Sequence, residues 1–473
     1  MSYDYDLIVL GAGSGGLPVI RGGCDLGLKV ALVEKEKIGG DCLNFGCVPS
    51  KTFLKSAKIA HQMRHAGQYG FEARSVETDF SRIMQRLRSV QAKIEEHESV
   101  EYFEGLGVDV YIGPPVFRDP HAIKVNGRTL TAKKFVIATG SRAAMPPIKG
   151  LQDTPVLTNV ELFDGTLETL PESLVVLGGG PIGTEMAQAF CRFGSKVTLV
   201  EMSDTILEKD DPDLARTLQE ILGQEGVEVL TGHKAVEVGE EGGVRFVVAE
   251  DASGQHRRLS ADQILVALGR KPNVEGLGLD KAGVRYDADT GVEVNSRLKT
   301  TASNIWAVGD VAGPYYFSHT AAHQAGTVFA NIFFRFPASQ DLSVVPWVTF
   351  TDPELAHAGL TEEQAQEQGI DYDVARFGFD ELDRAITESK TQGLAKILIS
   401  KGKIVGVHIL GNQAGEVLHT LYLAMKHKIK ARHVAKTIYV YPTHSEIINR
   451  TLGQHFKKKI YSDWMKKLVG WIY

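Results

Sequence analysis

The chain is poor in cysteine and has no long apolar run, and each shortage removes a class of protein. Four cysteines in 473 residues do not make the disulfide framework of a small secreted domain. A structural zinc site needs about four ligands, usually as two close pairs; Cys24 and Cys191 stand apart in apolar helical stretches, so no metal site is expected. No apolar run approaches the ~20 residues of a membrane span. A net charge of −6 lacks the basic surface of a general nucleic-acid binder, so no nucleic-acid partner is expected. The opening "MSYDYDLIVLGAG" enters a strand with no basic, apolar, cleavable leader, which points to a cytoplasmic, largely reduced setting. What remains is an ordinary globular composition, 43% apolar and 23% charged, with length for about three domains.

Against that background, "GGDCLNFGCVPSK", residues 39–51, places two of the few cysteines five positions apart. In an ideal helix, residues five apart have Cα atoms roughly 8.6 Å apart, beyond the ~7 Å that a disulfide spans. A bond between Cys42 and Cys47 requires a distorted turn, and strained, accessible disulfides are the labile ones. Spacing and compartment alone leave two readings open, a redox pair or two unrelated buried thiols.

A repeat sets the architecture. "YDLIVLGAGSGG" is a short buried strand running into Gly11-x-Gly13-x-x-Gly16, and the next strand, "KVALVEK", carries Glu34. "LVVLGGGPIG" repeats the pattern as Gly178-x-Gly180-x-x-Gly183, followed by "KVTLVEM" with Glu201. Glycine to acid is 23 positions in both copies (34 − 11 and 201 − 178), so chance clustering is a poor explanation. Such glycines allow a tight turn and close approach of a pyrophosphate to a helix N-terminus, while the acid takes ribose hydroxyls. Two dinucleotides are expected. Between the copies, residues 50–66 and 79–105 have helical spacing, and in "KKFVIATGS", residues 133–141, a strand ends in Ala138-Thr139-Gly140. The second module ends similarly at "ILVALGRKPN". "TASNIWAVGD" stops at Asp310, well placed for a cofactor hydroxyl, and the texture changes near Val345 to strands and a helix at about 415–428.

Taken in order, the first fingerprint, "GGDCLNFGCVPSK", "ATG", the second fingerprint, "ALGRKPN", "AVGD", "FTDPELAHAGLTE" and "YPTHSE" resemble the flavoprotein disulfide reductases, the group of dihydrolipoamide dehydrogenase, glutathione reductase and mercuric reductase. The resemblance implies an α/β chain with two Rossmann-type domains and a C-terminal α+β dimerisation domain. Residues 1–150 with 271–344 would hold FAD, 151–270 a nicotinamide cofactor, and 345–473 the homodimer interface. It implies Glu34 on the FAD adenosine ribose, Asp310 near the ribityl chain, and Thr139, Gly140 and Gly269 among the cofactor-binding positions. Cys47 would lie against the flavin and Cys42 would exchange with substrate, while Lys51 and Glu185 match the family pair near flavin N5. Electrons would pass from the nicotinamide through flavin and the Cys42–Cys47 disulfide to a disulfide or another two-electron acceptor. For the nicotinamide itself NADH is expected, because Glu201 repels a 2′-phosphate and "MSDTIL" after it offers no Arg or Lys.

The chain departs from the family where the acceptor is handled. The usual His-Pro-Thr-x-x-Glu is here Tyr441-Pro442-Thr443-His444-Ser445-Glu446: the orienting acid is kept and the acid–base histidine is replaced. A tyrosine with an ordinary pKa of ~10 is a proton donor at neutral pH, whereas histidine near ~6.5 can cycle. Dihydrolipoamide oxidation should suffer. His444, at a helix start after Pro442, is expected to point elsewhere. Tyrosine here resembles mercuric reductases, but no cysteine follows Cys191, so their C-terminal cysteine pair is missing. Asp41 is expected to raise the Cys42 pKa. A true dihydrolipoyl dehydrogenase, a mercuric or quinone reductase, and a redox sensor without turnover are the alternative readings. Finally, in residues 454–473 Phe456, Ile460, Trp464, Leu468 and Ile472 recur every four positions against Lys457, Lys458, Lys459, Lys466 and Lys467. That pattern suits either a membrane surface on its inner face or dimer packing.

Overall fold

The computed structural model describes residues 3–72, 76–334, 336–461 and 463–472. The chain divides into two compact units, the first gathering 1–56, 72–171 and 265–341 and the second 57–71, 172–264 and 342–473.

In the first unit the apolar run at the N-terminus becomes the strand Tyr5–Leu10, flanked in parallel by Val30–Glu34 and Arg128–Ile137. Asp109–Ile112 extends the sheet beyond Val30–Glu34, and Ile305–Ala307 pairs in parallel along Arg128–Ile137. Leu7 faces Val30 on one side and Lys134 on the other. Unbroken apolar runs, rather than alternating ones, mark strands covered on both faces. Leu7, Val9 and Leu32 pack with Ile20, Trp306 and Val328 into one core; Ile8, Leu10 and Val33 pack with Phe117, Phe135 and Leu279 into the other. Every strand that reaches the fingerprint turn therefore points its carboxyl end the same way, which is where a doubly wound sheet binds its ligand.

The second unit repeats the device with the parallel strands Ser173–Leu177, Lys196–Val200 and Glu228–Leu230 and the helices Pro181–Phe193 and Pro212–Glu225. It also holds a five-stranded antiparallel sheet, in the order Trp347–Thr349, Glu354–Gly359, Lys403–Gly411, Leu394–Ser400, Asp373–Gly378. The helices Ala414–Lys426 and Glu446–Ile460 close its core through Leu418, Leu421, Ile447 and Leu452.

Two helical expectations are each divided in the structure. The stretch 79–105 is two helices, Phe80–Glu95 and Val100–Gly105, because the Ser99 side chain caps the second by accepting from the Tyr102 amide at 3.1 Å. The C-terminal stripe is also two helices, Glu446–Ile460 and Asp463–Ile472, with Tyr461 at the break. Phe456 packs against the core of the unit, whereas no described residue of the last helix is buried. The side chains of Lys458, Lys459 and Ile460 lie outside the described set.

Candidate active site

The two fingerprints fold into cradles built on the same turn. Gly11 turns at φ +106° and Gly178 at +103°, where an L side chain is strained. A Cβ on Gly16 would stand 2.0 Å from the Gly11 carbonyl oxygen, and one on Gly183 would stand 1.9 Å from that of Gly178. Only glycine lets each helix start so close to its strand. Gly13 and Gly180 instead open outward: a Cβ on Gly13 meets only Gly40 Cα at 3.9 Å, and one on Gly180 meets nothing within 4 Å. The acids close each turn alike. Glu34 Oε2 accepts from the Ala12 amide at 2.8 Å, and Glu201 Oε2 accepts from the Gly179 amide at 2.6 Å. Glu201 Oε1 also takes the Ser203 amide at 2.8 Å.

The cysteine segment makes the turn that an unbroken helix forbids. Cys42 lies on the short helix Gly40–Asn44 and Cys47 begins the helix Cys47–Arg64. Between them, Gly46 approaches so closely that a Cβ there would stand 2.9 Å from the Asp41 carbonyl oxygen and 3.2 Å from Cys42 Cα. The fold-back brings the thiols into hydrogen bond with one another, which together with burial pushes the Cys42 thiol well up. Cys47, more exposed, sits at a helix N-terminus, where the unpaired amides favour a thiolate. Its Sγ is 3.5 Å from the Ser318 hydroxyl, itself the first residue of the helix Ser318–Phe333. Ser318 also works on Cys42, in the direction that lowers its pKa. The other two cysteines take no part: Cys24 donates to the Leu106 carbonyl and Cys191 to that of Glu225.

Asp41 behaves differently from its sequence expectation. Its carboxylate takes the Asn159 amide at 2.9 Å and the Arg270 guanidinium at 3.1 Å. Its charge is thus spent locally, and the upward push on Cys42 comes from Cys47 and burial. Arg270 also donates to the Ser141 hydroxyl at 2.7 Å and lies 3.9 Å from Asp310. Asp310 accepts from that same hydroxyl; burial raises its pKa, and Ser141 and Arg270 oppose the rise. Thr139 and Gly140 are held by Asn273, whose side chain donates to the Thr139 carbonyl at 2.9 Å and whose amide donates to the Gly140 carbonyl at 2.9 Å. Gly269 follows the strand at φ +105°, its carbonyl taking the Ala144 amide at 2.9 Å.

Lys51 is half-buried one turn beyond Cys47 on the same helix. Glu185 is buried on Pro181–Phe193, where it accepts from the Phe350 amide at 2.9 Å. The far half of the cysteine helix is clamped by ions: Lys58 reaches Asp352 at 2.9 Å, and Arg64 donates to the Arg192 carbonyl. Arg192 in turn holds Glu225 through two nitrogens, at 2.7 and 2.6 Å, and Asp352 at 3.1 Å.

In the C-terminal motif Tyr441 and His444 part company. Tyr441 is 65% exposed and donates to Asp383 at 3.1 Å, which raises its pKa. It does not pair with Glu446, which takes the Thr443 amide at 3.4 Å and lies 3.8 Å from Arg450. His444 is buried, its Nε2 2.9 Å from Glu388 and 3.2 Å from Asn412. The sequence had singled out none of Ser318, Asn159, Asp383 or Glu388, and held Arg270 only as part of the run "ALGRKPN". They come from segments far along the chain, and no spacing rule marks them.

These cradles and the folded-back thiol pair match known proteins. Residues 5–326 match the pyridine nucleotide-disulphide oxidoreductase family and residues 345–452 its dimerisation domain. The chain belongs to that family. It is 37% identical over 450 residues to a dihydrolipoyl dehydrogenase of Thermus scotoductus, covering 93% of this chain and 95% of the relative. It is 33% identical over 445 residues to a mercuric reductase of Lysinibacillus sphaericus, covering 94% of this chain and 81% of the relative. Among solved structures it is similar to the HOCl-induced flavoprotein disulfide reductase RclA of Escherichia coli, with a TM-score of 0.85 and 29% identity over 95% of this chain and 99% of that one.

The protein is therefore an FAD-dependent, NAD(P)H-linked disulfide oxidoreductase that works as a homodimer. Its residues fit two dinucleotides, because both cradles leave open space at Gly13 and Gly180 where a side chain would stand in the way of a pyrophosphate. Among the described residues no helix is long and apolar enough to cross a membrane.

Proposed function

We propose that the enzyme takes electrons from NADH and delivers them, through Cys42 and Cys47, to a disulfide other than lipoamide or to another two-electron acceptor. In this reading residues 1–150 with 271–344 hold FAD, 151–270 hold the nicotinamide, and 345–473 are the dimerisation domain with the basic amphipathic tail 454–473. Bound FAD supplies the relay of an electron pair from nicotinamide to disulfide. The chain's own residues do the rest. Reduction breaks the Cys42–Cys47 bond and leaves, with one proton, a thiol and a thiolate, the negative charge favoured on Cys47 by its helix N-terminus and Ser318. For a disulfide acceptor, Cys42 attacks one sulfur and the first thiolate leaves, taking a proton. Cys47 then attacks Cys42, restoring the internal disulfide and releasing the second thiolate.

Lys51 and Glu185 order the flavin face in this proposal, Glu34 and Asp310 hold hydroxyls of FAD, and Thr139, Gly140 and Gly269 line the cofactor sites. Glu201 selects NADH: an acid already satisfied by two amides suits ribose hydroxyls and repels a 2′-phosphate. Tyr441, with Glu446 nearby in sequence, takes the acid–base position.

The observation that carries the choice of acceptor is the exposed Tyr441 donating to Asp383 while the only histidine of the motif is buried against Glu388. A phenol whose pKa is raised gives protons at neutral pH and cannot accept the thiol proton of a dihydrolipoamide. Loss of positioned acid–base help costs ~10²- to 10⁴-fold. The similarity to dihydrolipoyl dehydrogenases keeps a second reading alive, in which the lipoyl group is the substrate. Reducing the enzyme anaerobically with NADH and then adding lipoamide, glutathione disulfide, Hg(II) or a quinone separates the readings. Weak lipoamide turnover that rises in Tyr441→His supports the first. Fast oxidation of dihydrolipoamide by the wild type, unchanged by His444→Ala, refutes it, and comparable kcat/KM with NADPH refutes the choice of NADH.

A further inference from the structure

We propose that the last helix, Asp463–Ile472, is a docking element that lies in the surface of an anionic lipid bilayer. The helix is ten residues long and follows the break at Tyr461. At about 100° per residue, its six apolar side chains, Trp464, Met465, Leu468, Val469, Trp471 and Ile472, share one arc of roughly 160°. Asp463, Lys466, Lys467 and Gly470 occupy the rest. Met465 and Leu468 are half-buried, but the rest of the arc is exposed: Trp464 is 67% exposed, Trp471 85% and Ile472 65%. Two of the chain's four tryptophans stand on these ten residues. Isolated helices shorter than ~12–15 residues are marginal in water, so this one needs a surface against its apolar face.

Three observations choose the surface. The preceding helix spends its own apolar residues, Ile447, Ile448, Leu452 and Phe456, on the core of the unit, so the last helix is an appendage. The match to the family's dimerisation domain ends at residue 452, before this helix begins. Its charge is also opposite to the rest of the protein: Lys457, Lys458, Lys459, Lys466 and Lys467 against Asp463 give +5 − 1 = +4, in a chain of net −6. A second copy of this acidic chain would meet the lysines through their long-range field alone, whereas an anionic bilayer accepts both faces of the helix. Lysines remain in the headgroup layer, tryptophans sit at the interface, and the aliphatic side chains enter the acyl boundary.

The test uses the full-length, FAD-loaded dimer in co-sedimentation with vesicles of phosphatidylcholine alone or mixed with phosphatidylglycerol. Binding is expected only to the mixed vesicles and should weaken in high salt. Trp464→Ala combined with Trp471→Ala should reduce the bound fraction by about tenfold or more, and Lys466→Glu combined with Lys467→Glu should do the same. Neither pair should alter NADH oxidation in solution or the dimer's elution volume. Equal, negligible sedimentation of wild type and variants overturns the proposal. So does a tryptophan variant that elutes as a monomer, because the helix would then be packing on the second copy.

Discussion

Lys58→Met tests how the far end of the cysteine helix is held. Burial alone would raise the Asp352 carboxyl, but the cations of Lys58, Arg192 and Lys390 overcome it and hold the pKa at about 2 instead of 3.8. At ~1.4 kcal/mol per pH unit, that depression contributes about 2 kcal/mol to folding at neutral pH. The group is an acid with a lowered folded-state pKa. Its contribution is therefore complete above pH 3.8 and is lost as the pH falls through about 2. Arg192 and Lys390 survive in the variant, so Lys58→Met should remove about half the contribution, about 1 kcal/mol at pH 7. The deficit should shrink towards zero near pH 2, where Asp352 is protonated in both proteins.

A second group marks a separate window. Burial and the Arg192 charge bring His61 down to about 4 from 6.5, so its protonation in the unfolded chain erodes stability between those two values. Urea unfolding of the FAD-loaded enzyme at several pH values, followed by tryptophan fluorescence, should show the same slope for wild type and variant from pH 6.5 to 4 and a flatter one for the variant below it. A deficit of equal size at every pH, or none at pH 7, would refute the ion-pair argument.

In the nicotinamide cradle, Gly183→Ala places a methyl 1.9 Å from the Gly178 carbonyl oxygen; steady-state kinetics should show the KM for NADH rising by about tenfold or more with flavin content unchanged. Ser318→Ala removes a hydroxyl 3.5 Å from Cys47. A hydrogen bond worth about 1 kcal/mol should move the pH midpoint of thiol alkylation in NADH-reduced enzyme upward by somewhat under one unit; an unmoved midpoint would remove Ser318 from the site. Asp41→Thr should leave the pH midpoint of Cys42 alkylation in place, because Asn159 and Arg270 already neutralise the carboxylate; a fall of a full unit would restore Asp41 as the cause of the high Cys42 pKa.

The sequence by itself determined the parts whose physics is local. A glycine that must turn at positive φ, or start a helix against a carbonyl, admits no substitute, so Gly11, Gly16, Gly178 and Gly183 were legible together with the acids 23 residues after the first glycine of each turn. The same reasoning read the covered strands from their unbroken apolar runs and showed that Cys42 and Cys47 could meet only across a distorted turn. Only the tertiary structure decided what surrounds those parts. Arg270 reaches Asp41 across more than two hundred residues of chain, and Ser318 is brought to Cys47 by the start of a distant helix. Tyr441 and His444, three residues apart, separate into an exposed phenol and a buried imidazole. Spacing records which residues share a turn or a face, but the partner of a charge and the burial of a ring depend on contacts that close only when the chain has folded.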